Sequence, residues 1–266
     1  MTEWDAAGYS RIAGLQAAMA DEVLALIKLK GNERVLDLGC GSGKVTAQIA
    51  SRLEHGSILG VDSSAEMTTF AEETFPSSTW SNLRFQQADI RKLDFHNEFD
   101  LVVSFNALHW IPDQNHALHS IRSAMKSSAT AQLRLVPKGK RESLEDVIEK
   151  TRQSDRWSGY FEGFHDPYLH LTPEEYAALA ERNGLRVLRL HTEDKAWDFK
   201  SRAEFLAFGK VTFIGWTQFI PENERPDFCV DVLDRYQQVA AERKGEENFF
   251  RFYQMDVTLA RDSSSI

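Results

Sequence analysis

Arg34-Val35-Leu36-Asp37-Leu38-Gly39-Cys40-Gly41-Ser42-Gly43 is a short β-favouring run that breaks into a turn with glycine at every second position. Lys44 to Leu53 comes next, with Val45, Ile49 and Leu53 about one helical turn apart. The order is strand, glycine-rich turn, helix. Glycines in such a turn admit unusual φ angles and let the backbone approach a ligand closely. Asp37, at the end of the strand, would point a carboxylate into the same crevice.

Three nucleotide readings compete for this turn. A phosphate-cradling P-loop needs G-x-x-x-x-G-K-[ST], and here Leu38 stands where the first glycine belongs and Val45 follows Lys44. A dinucleotide turn needs G-x-G-x-x-G, and this spacing is one residue short, with Lys44 in place of the last glycine. The third reading is S-adenosylmethionine: an acidic residue beside the glycines suits its ammonium group, and no pyrophosphate has to be held. A bare glycine turn without a ligand is the remaining alternative.

The residues beyond the turn argue for a ligand. Ser57 to Val61 is a second strand ending in Asp62, roughly 25 residues after Asp37, where a carboxylate can accept from both ribose hydroxyls. Asp62 supports a nucleoside without choosing among nucleotides. Ser63-Ser64 caps a helix from Ala65 to Phe75, and Met67 in its first turn either faces a purine ring or packs in the core. Leu83 to Ala88 alternates as a third strand and leads to Asp89-Ile90, where a carboxylate can accept from an adenine amino group. Phe99 to Phe105 is a fourth, doubly buried strand running into Asn106-Ala107-Leu108-His109-Trp110. A helix from Pro112-Asp113 to about Met125 and a fifth strand, Ala131 to Val136, come next. Strands alternating with helices predict a parallel sheet covered on both faces, with ligands beyond the C-terminal strand ends. The glycine turn, Asp62, Asp89 and Asn106–Trp110 all fall at those ends.

At 266 residues and a net charge of −9, the chain is one large domain or a domain with an added part, and it lacks the basic face of a nucleic-acid binder. Cys40 and Cys229 form no pairing or metal pattern, so a reducing compartment and no metal are expected. No apolar run approaches membrane-spanning length and no targeting signal is read, so a cytoplasmic protein without a membrane partner is expected.

Outside the sheet, Tyr9 to Lys28 reads as a helix and Ser143 to Gln153 as another. An aromatic loop from Trp157 to Tyr168 comes after them, then a capped helix from Thr172 to Asn183-Gly184 and a sixth strand, Leu185 to Leu190. Ser201 to Trp216 and Pro221 to about Arg243 read as helices, and Phe249 to Ala260 as a long final strand. Nineteen of the 29 aromatic residues lie after Arg156, which suggests a ring-lined lid over the crevice; the alternative is that the rings fill the lid's own core. The expected organisation is an N-terminal helix and nucleoside-binding core over 1–136, a lid segment with the last helix over 137–184, the sixth strand over 185–200, a second lid segment over 201–247, and the final strand and tail over 248–266.

Together, the glycine stretch, Gly60-Val61-Asp62-Ser63-Ser64 and Ala88-Asp89-Ile90 resemble the class I S-adenosylmethionine-dependent methyltransferases. The resemblance implies an α/β, Rossmann-like, doubly wound sheet of seven strands, the last antiparallel, with a mostly helical lid. Within that class the chain resembles small-molecule carboxylate methyltransferases. Trp4, Tyr9 and Ala88–Arg91 suggest the trans-aconitate group; Tyr9-Ser10-Arg11, Leu15-Gln16, Leu108–Gln114 and Asp155-Arg156-Trp157 suggest the juvenile hormone acid group. By matching position, Tyr9, Asp37, Gly39, Cys40, Gly41, Asp62, Ser63, Met67, Asp89, Ile90, Asn106 and Ala107 would line the cofactor, S-adenosyl-L-methionine. Gln16 and Trp110 would hold a substrate carboxylate through neutral N–H donors, which orient it without quenching its nucleophilicity.

A carboxylate needs no base near pH 7. His109 is a candidate base for other acceptors, or else packs. Phe161, Tyr168, Phe208 and Trp216 are the candidate substrate rings. With few Arg or Lys among those rings, the acceptor expected is a small apolar or aromatic acid giving a methyl ester. The alternatives are N-, C- or hydroxyl-O-methylation of a small hydrophobic metabolite, and a non-catalytic S-adenosylmethionine-binding protein.

Overall fold

The computed structural model describes residues 13–262, with side chains described from Met19 on. It opens with helix α1 (Ala13–Leu26) and continues β1 (Arg34–Leu38), α2 (Lys44–Ala50), β2 (Ser57–Asp62), α3 (Ala65–Thr74), β3 (Leu83–Gln87), β4 (Phe99–Phe105), α4 (Gln114–Ala124) and β5 (Met125–Leu135). The second half is α5 (Leu144–Arg152), α6 (Pro173–Arg182), β6 (Leu185–Asp198), α7 (Arg202–Thr212), α8 (Ile214–Thr217), α9 (Arg225–Ala240) and β7 (Phe249–Arg261). The seven strands form one sheet in the order β3-β2-β1-β4-β5-β7-β6, with β7 antiparallel to both its neighbours. This is the doubly wound Rossmann-like sheet expected, with the last strand reversed.

The strands are apolar because both faces of the sheet are covered. Val35, Leu36 and Leu38 of β1 and Val102 and Val103 of β4 have no exposed surface. On one face, Ala117, Leu118 and Ile121 of α4 join Tyr176, Leu179 and Ala180 of α6. On the other, Leu24 and Ile27 meet Ala47, Ile49 and Ala50 of α2 and Ala71 of α3.

A third core lies beyond the C-terminal edge of the parallel strands. Leu144, Val147, Trp157, Phe205, Phe213, Trp216, Phe228 and Tyr236 build it, with Trp110 and Val136, which follow β4 and β5, packed against it. β6 and β7 carry the sheet into this cap. Register pairs Leu135 with Met255, so β7 before that point pairs with β6 alone, from Thr192↔Met255 to Asp198↔Phe249. The two-stranded extension delivers Phe250 and Phe252 to the cap core.

Four elements differ from the sequence expectation. β6 runs on to Asp198 rather than ending at Leu190. Its extension is an edge strand rich in charge, so burial leaves no alternation to read. β5 begins at Met125, six positions before the expected Ala131, across an irregularity that separates Phe99↔Met125 from Leu101↔Thr130. The helix expected over Ser201–Trp216 is interrupted at Phe213, and the helix expected from Pro221 starts at Arg225.

Candidate active site

The turn after β1 is folded back onto β2. The N–H groups of Gly39 and Cys40 both donate to the Val61 carbonyl, at 2.8 and 3.0 Å. The Asp62 carboxylate accepts from Gly41 N–H at 2.9 Å and Ser64 N–H at 3.0 Å, so one side chain fixes both the glycine turn and the start of α3. Ser64, rather than Ser63, caps α3, accepting from Met67 N–H. Met67 is 3% exposed and Ser63 half-buried beside it.

Gly39 and Gly41 are glycines for different reasons. Gly39 has φ +74, and a Cβ there would lie 2.2 Å from the Ala107 Cβ, so the turn after β1 presses on the end of β4. Gly41 has φ +51, and a Cβ there would meet nothing within 4 Å. The backbone at Gly41 therefore borders open space. Gly39→Ala is expected to destabilise the protein by about 2 kcal/mol through overpacking. Gly41→Ala is expected to cost about 1 kcal/mol from its φ alone, yet to weaken cofactor binding, because its methyl enters the cradle. Thermal melts and cofactor titration of the two variants check this contrast; wild-type binding by Gly41→Ala would remove the cradle.

Asp37 is 2% exposed, and its hydrogen bond among the described residues comes from Thr46 Oγ1 at 2.7 Å. Burial, with the nearby Asp62 charge, pushes its carboxyl up to about 7 against the Thr46 bond. A buried carboxylate of this kind suits a cationic ligand. Cys40 sits against Gly60, and burial first, then the Asp37 and Asp62 charges, hold its thiol well above the ordinary range. Cys40 thus offers backbone rather than a nucleophile. Beyond β3, Asp89 caps the short turn Ile90–Lys92, and the Arg91 guanidinium grips both its oxygens at 2.7–3.2 Å and holds its pKa below the usual range. Ile90 is buried behind it.

At the end of β4, Asn106 takes φ +56, uncommon for a residue with a side chain. Its N–H donates to the Arg134 carbonyl at 2.8 Å, its Nδ2 to Met19 Sδ at 3.5 Å, and its Oδ1 accepts from Gln254 Nε2 at 3.3 Å. Gln254, 2% exposed on β7, was not a sequence candidate. Only the reversed strand brings it to this edge, and no motif marks it. Helix α1 is clasped here as well: Glu22 pairs with Arg134 and Lys195, and Arg134 pairs with Asp256. Gln16 lies one turn before Met19 in α1, with its side chain outside the described residues; Tyr9 lies outside them altogether.

Leu108–Trp110 forms a single 3₁₀ turn. Trp110 stands edge-on between Tyr168, with ring centroids 5.1 Å apart, and Trp216, at 5.8 Å. Among the four expected substrate rings, then, Tyr168 and Trp216 meet Trp110. Phe161 and Phe208 do not. Phe161 packs on Phe164, Phe219 and Phe228, and Phe208 on Phe199, Phe205 and Phe250, so both fill the cap's own core.

The expectation for His109 is also corrected. It is 4% exposed, its Nδ1 accepts from Val136 N–H at 3.2 Å, and burial lowers its pKa to about 3. An imidazole that titrates only near pH 3 and is already engaged is no general base at neutral pH. Its ring packs on Trp110 and Tyr168.

The donor set suits S-adenosyl-L-methionine: a buried carboxylate for positive charge, an open backbone cradle at Gly41, and Asp62 at the second strand end. No group of His, Cys, Asp and Glu among the described residues has the arrangement of a metal site, and no described helix is long and apolar enough to cross a membrane.

A family profile described as a methyltransferase domain matches residues 35–128. The trans-aconitate 2-methyltransferase of Deinococcus radiodurans is 29% identical over 255 residues, covering 94% of this chain and 95% of that protein. The 235L protein of Invertebrate iridescent virus 6, whose name marks it as an inferred methyltransferase, is 27% identical over 88% of this chain and 85% of its own length. Among solved structures, phosphoethanolamine N-methyltransferase 2 of Haemonchus contortus, in complex with S-adenosyl-L-methionine, superposes with a TM-score of 0.60 at 17% identity, covering 94% of this chain and 53% of that one. At that identity the likeness is one of fold.

Proposed function

Because the chain is a class I S-adenosylmethionine-dependent methyltransferase, we propose that its acceptor is a small apolar or aromatic carboxylic acid, which leaves as the methyl ester. The observation that carries this reading is the setting of Trp110. It lies just past Asn106 and Ala107, stands at the same sheet edge as Gly41 and Asp62, and is flanked by Tyr168 and Trp216. An indole N–H is a neutral donor in an apolar wall, which suits one carboxylate on an apolar body.

Five arginines in and beside the cap favour a monoacid over a tricarboxylate. Arg134, Arg141, Arg152, Arg156 and Arg202 each already meet a carboxylate of the chain itself. The trans-aconitate relative supports a carboxylate acceptor in kind; the paired arginines argue for a less charged one here.

S-adenosyl-L-methionine, when bound, supplies an electrophilic methyl group. Asp37, the Gly39–Gly41 backbone and Asp62 would hold it; Met67 and Ile90 would flank its base; Asn106 and Ala107 would border its methionine part. The chain's remaining work is to align an acid that is already ionised and to keep water out, which contributes on the order of 7–11 kcal/mol. A neutral, buried His109 is consistent with a reaction that needs no base.

A Trp110→Phe variant is expected to lose about tenfold in kcat/KM on acids while keeping its cofactor affinity, since one neutral donor is removed. The assay uses trans-aconitate, straight-chain fatty acids, farnesoic acid and aromatic acids, with products identified by mass. Esters from trans-aconitate alone, or equal turnover by the variant, would defeat the reading.

A further inference from the structure

Tyr168 is 6% exposed, and its hydroxyl is buried with no hydrogen-bond partner among the described residues. Leaving such a group unpaired costs about 1–3 kcal/mol, and phenylalanine would fill the same space without that cost. Tyr176, whose hydroxyl is likewise unpaired, lies in the sheet core against α4, away from Trp110. Tyr168 lies against Trp110 at 5.1 Å and His109 at 5.1 Å.

The segment that carries Tyr168 is held firmly. Leu169 N–H donates to the His109 carbonyl at 2.8 Å, which staples the segment to the 3₁₀ turn of Trp110. Asp166 accepts from Tyr168 N–H at 2.9 Å and with its other oxygen meets His170 Nε2 at 2.9 Å. His170 Nδ1 meets Asp146 of α5 at 3.3 Å, and Asp146 caps that helix together with Ser143. Fixing a ring this closely while leaving its hydroxyl unsatisfied is the pattern of a preorganised binding group.

Resting on the carboxylic-acid reading, we propose that the Tyr168 hydroxyl is a second donor to the acceptor's carboxylate, beside the Trp110 indole. A phenol here donates and does not ionise: burial first, then the charges of Glu145, Asp146 and Asp166, hold its pKa well above the ordinary tyrosine value. His170, which both bonds keep protonated with a pKa of about 10, offsets one of the two charges of Asp146 and Asp166. Burial pushes the Glu145 carboxyl up to about 7, so at neutral pH it carries only part of a charge. With the two rings edge to face, each donor would take one oxygen of the same carboxylate.

The test uses the full chain, wild type and Tyr168→Phe, with farnesoic acid and benzoic acid as probes. Steady-state ester formation is measured at saturating S-adenosylmethionine, and acid binding is measured by calorimetry in the presence of S-adenosylhomocysteine. The expected result is about a tenfold rise in the KM and Kd of the esterified acid, with unchanged S-adenosylmethionine affinity and an unchanged or higher Tm. Combined with Trp110→Phe, the loss should fall short of the product of the two single losses, because both donors serve one carboxylate. If wild type esterifies an acid and Tyr168→Phe matches it in KM and Kd, the hydroxyl is no donor and the proposal is overturned alone. If wild type binds the cofactor but esterifies neither these probes nor any acid of the wider panel, the carboxylate reading falls and takes the proposal with it.

Discussion

Asp62→Ala should weaken S-adenosylmethionine binding by about 100-fold. The carboxylate closes the glycine turn by accepting from Gly41 and Ser64 N–H groups, and it stands at the strand end where a ribose is held. Two charge-assisted hydrogen bonds to the sugar, at about 1.5 kcal/mol each, account for that factor. The loss of the turn's own bonds adds to it. Isothermal titration with S-adenosylmethionine and a thermal melt of the same sample separate the two contributions. Asp62→Asn keeps the shape but replaces one acceptor oxygen by a donor, and should fall between. An Asp62→Ala protein binding within twofold of wild type would remove Asp62 from the cofactor site.

The second large effect is one of pH. The Asp37 carboxyl is held at about 7 by burial, with the Asp62 charge raising it further and the Thr46 bond opposing. A cationic ligand beside it binds best to the ionised form. Below pH 7 the free enzyme must first give up that proton, so affinity should fall about tenfold per pH unit and level off above pH 7, with a proton released on binding. Asp37→Asn should bind weakly and show a flat profile. The same group acts on stability with the opposite sense to a salt-bridged carboxylate: it is raised in the fold from its ordinary value of 3.8, so the native state holds the extra proton between about 3.8 and about 7. Its contribution to stability is therefore lost as pH rises through that window. Calorimetric titrations at several pH values in buffers of different ionisation enthalpy count the protons. A slope of zero in wild type would show that no charge is exchanged at Asp37.

Much of the sheet was legible because both its faces are buried, and burial writes itself into composition. Leu101-Val102-Val103 can scarcely be anything but an inner strand, and the glycines after Leu38 mark where the backbone must turn. The reversed last strand came from family resemblance; alternation showed only that a strand was there. The β6 extension was not legible. Residues 191–198 pair fully with 249–256 but lie on an edge, where charge is tolerated on both faces. Nor could the sequence divide the aromatic residues. Phe161 and Tyr168 read alike, yet one packs on Phe228 and the other on Trp110. His109 stood beside the expected site in sequence, but its ring nitrogen turns to Val136, which only the loop after β5 brings there. Gln254 reaches Asn106 across 148 positions, a pairing that no local pattern encodes.

The cap has a core of its own, with Trp157, Phe205, Phe213 and Phe228 fully buried in it, and it meets the sheet at Trp110, Val136 and the extended ends of β6 and β7. The cap's rings and the sheet-edge residues thus belong to separate cores. Exchanges among the cap's rings would alter the shape offered to an acceptor without disturbing Asp37, Gly41 or Asp62. A fold divided in this way would let acceptor choice change while the proposed methyl-donor cradle is kept.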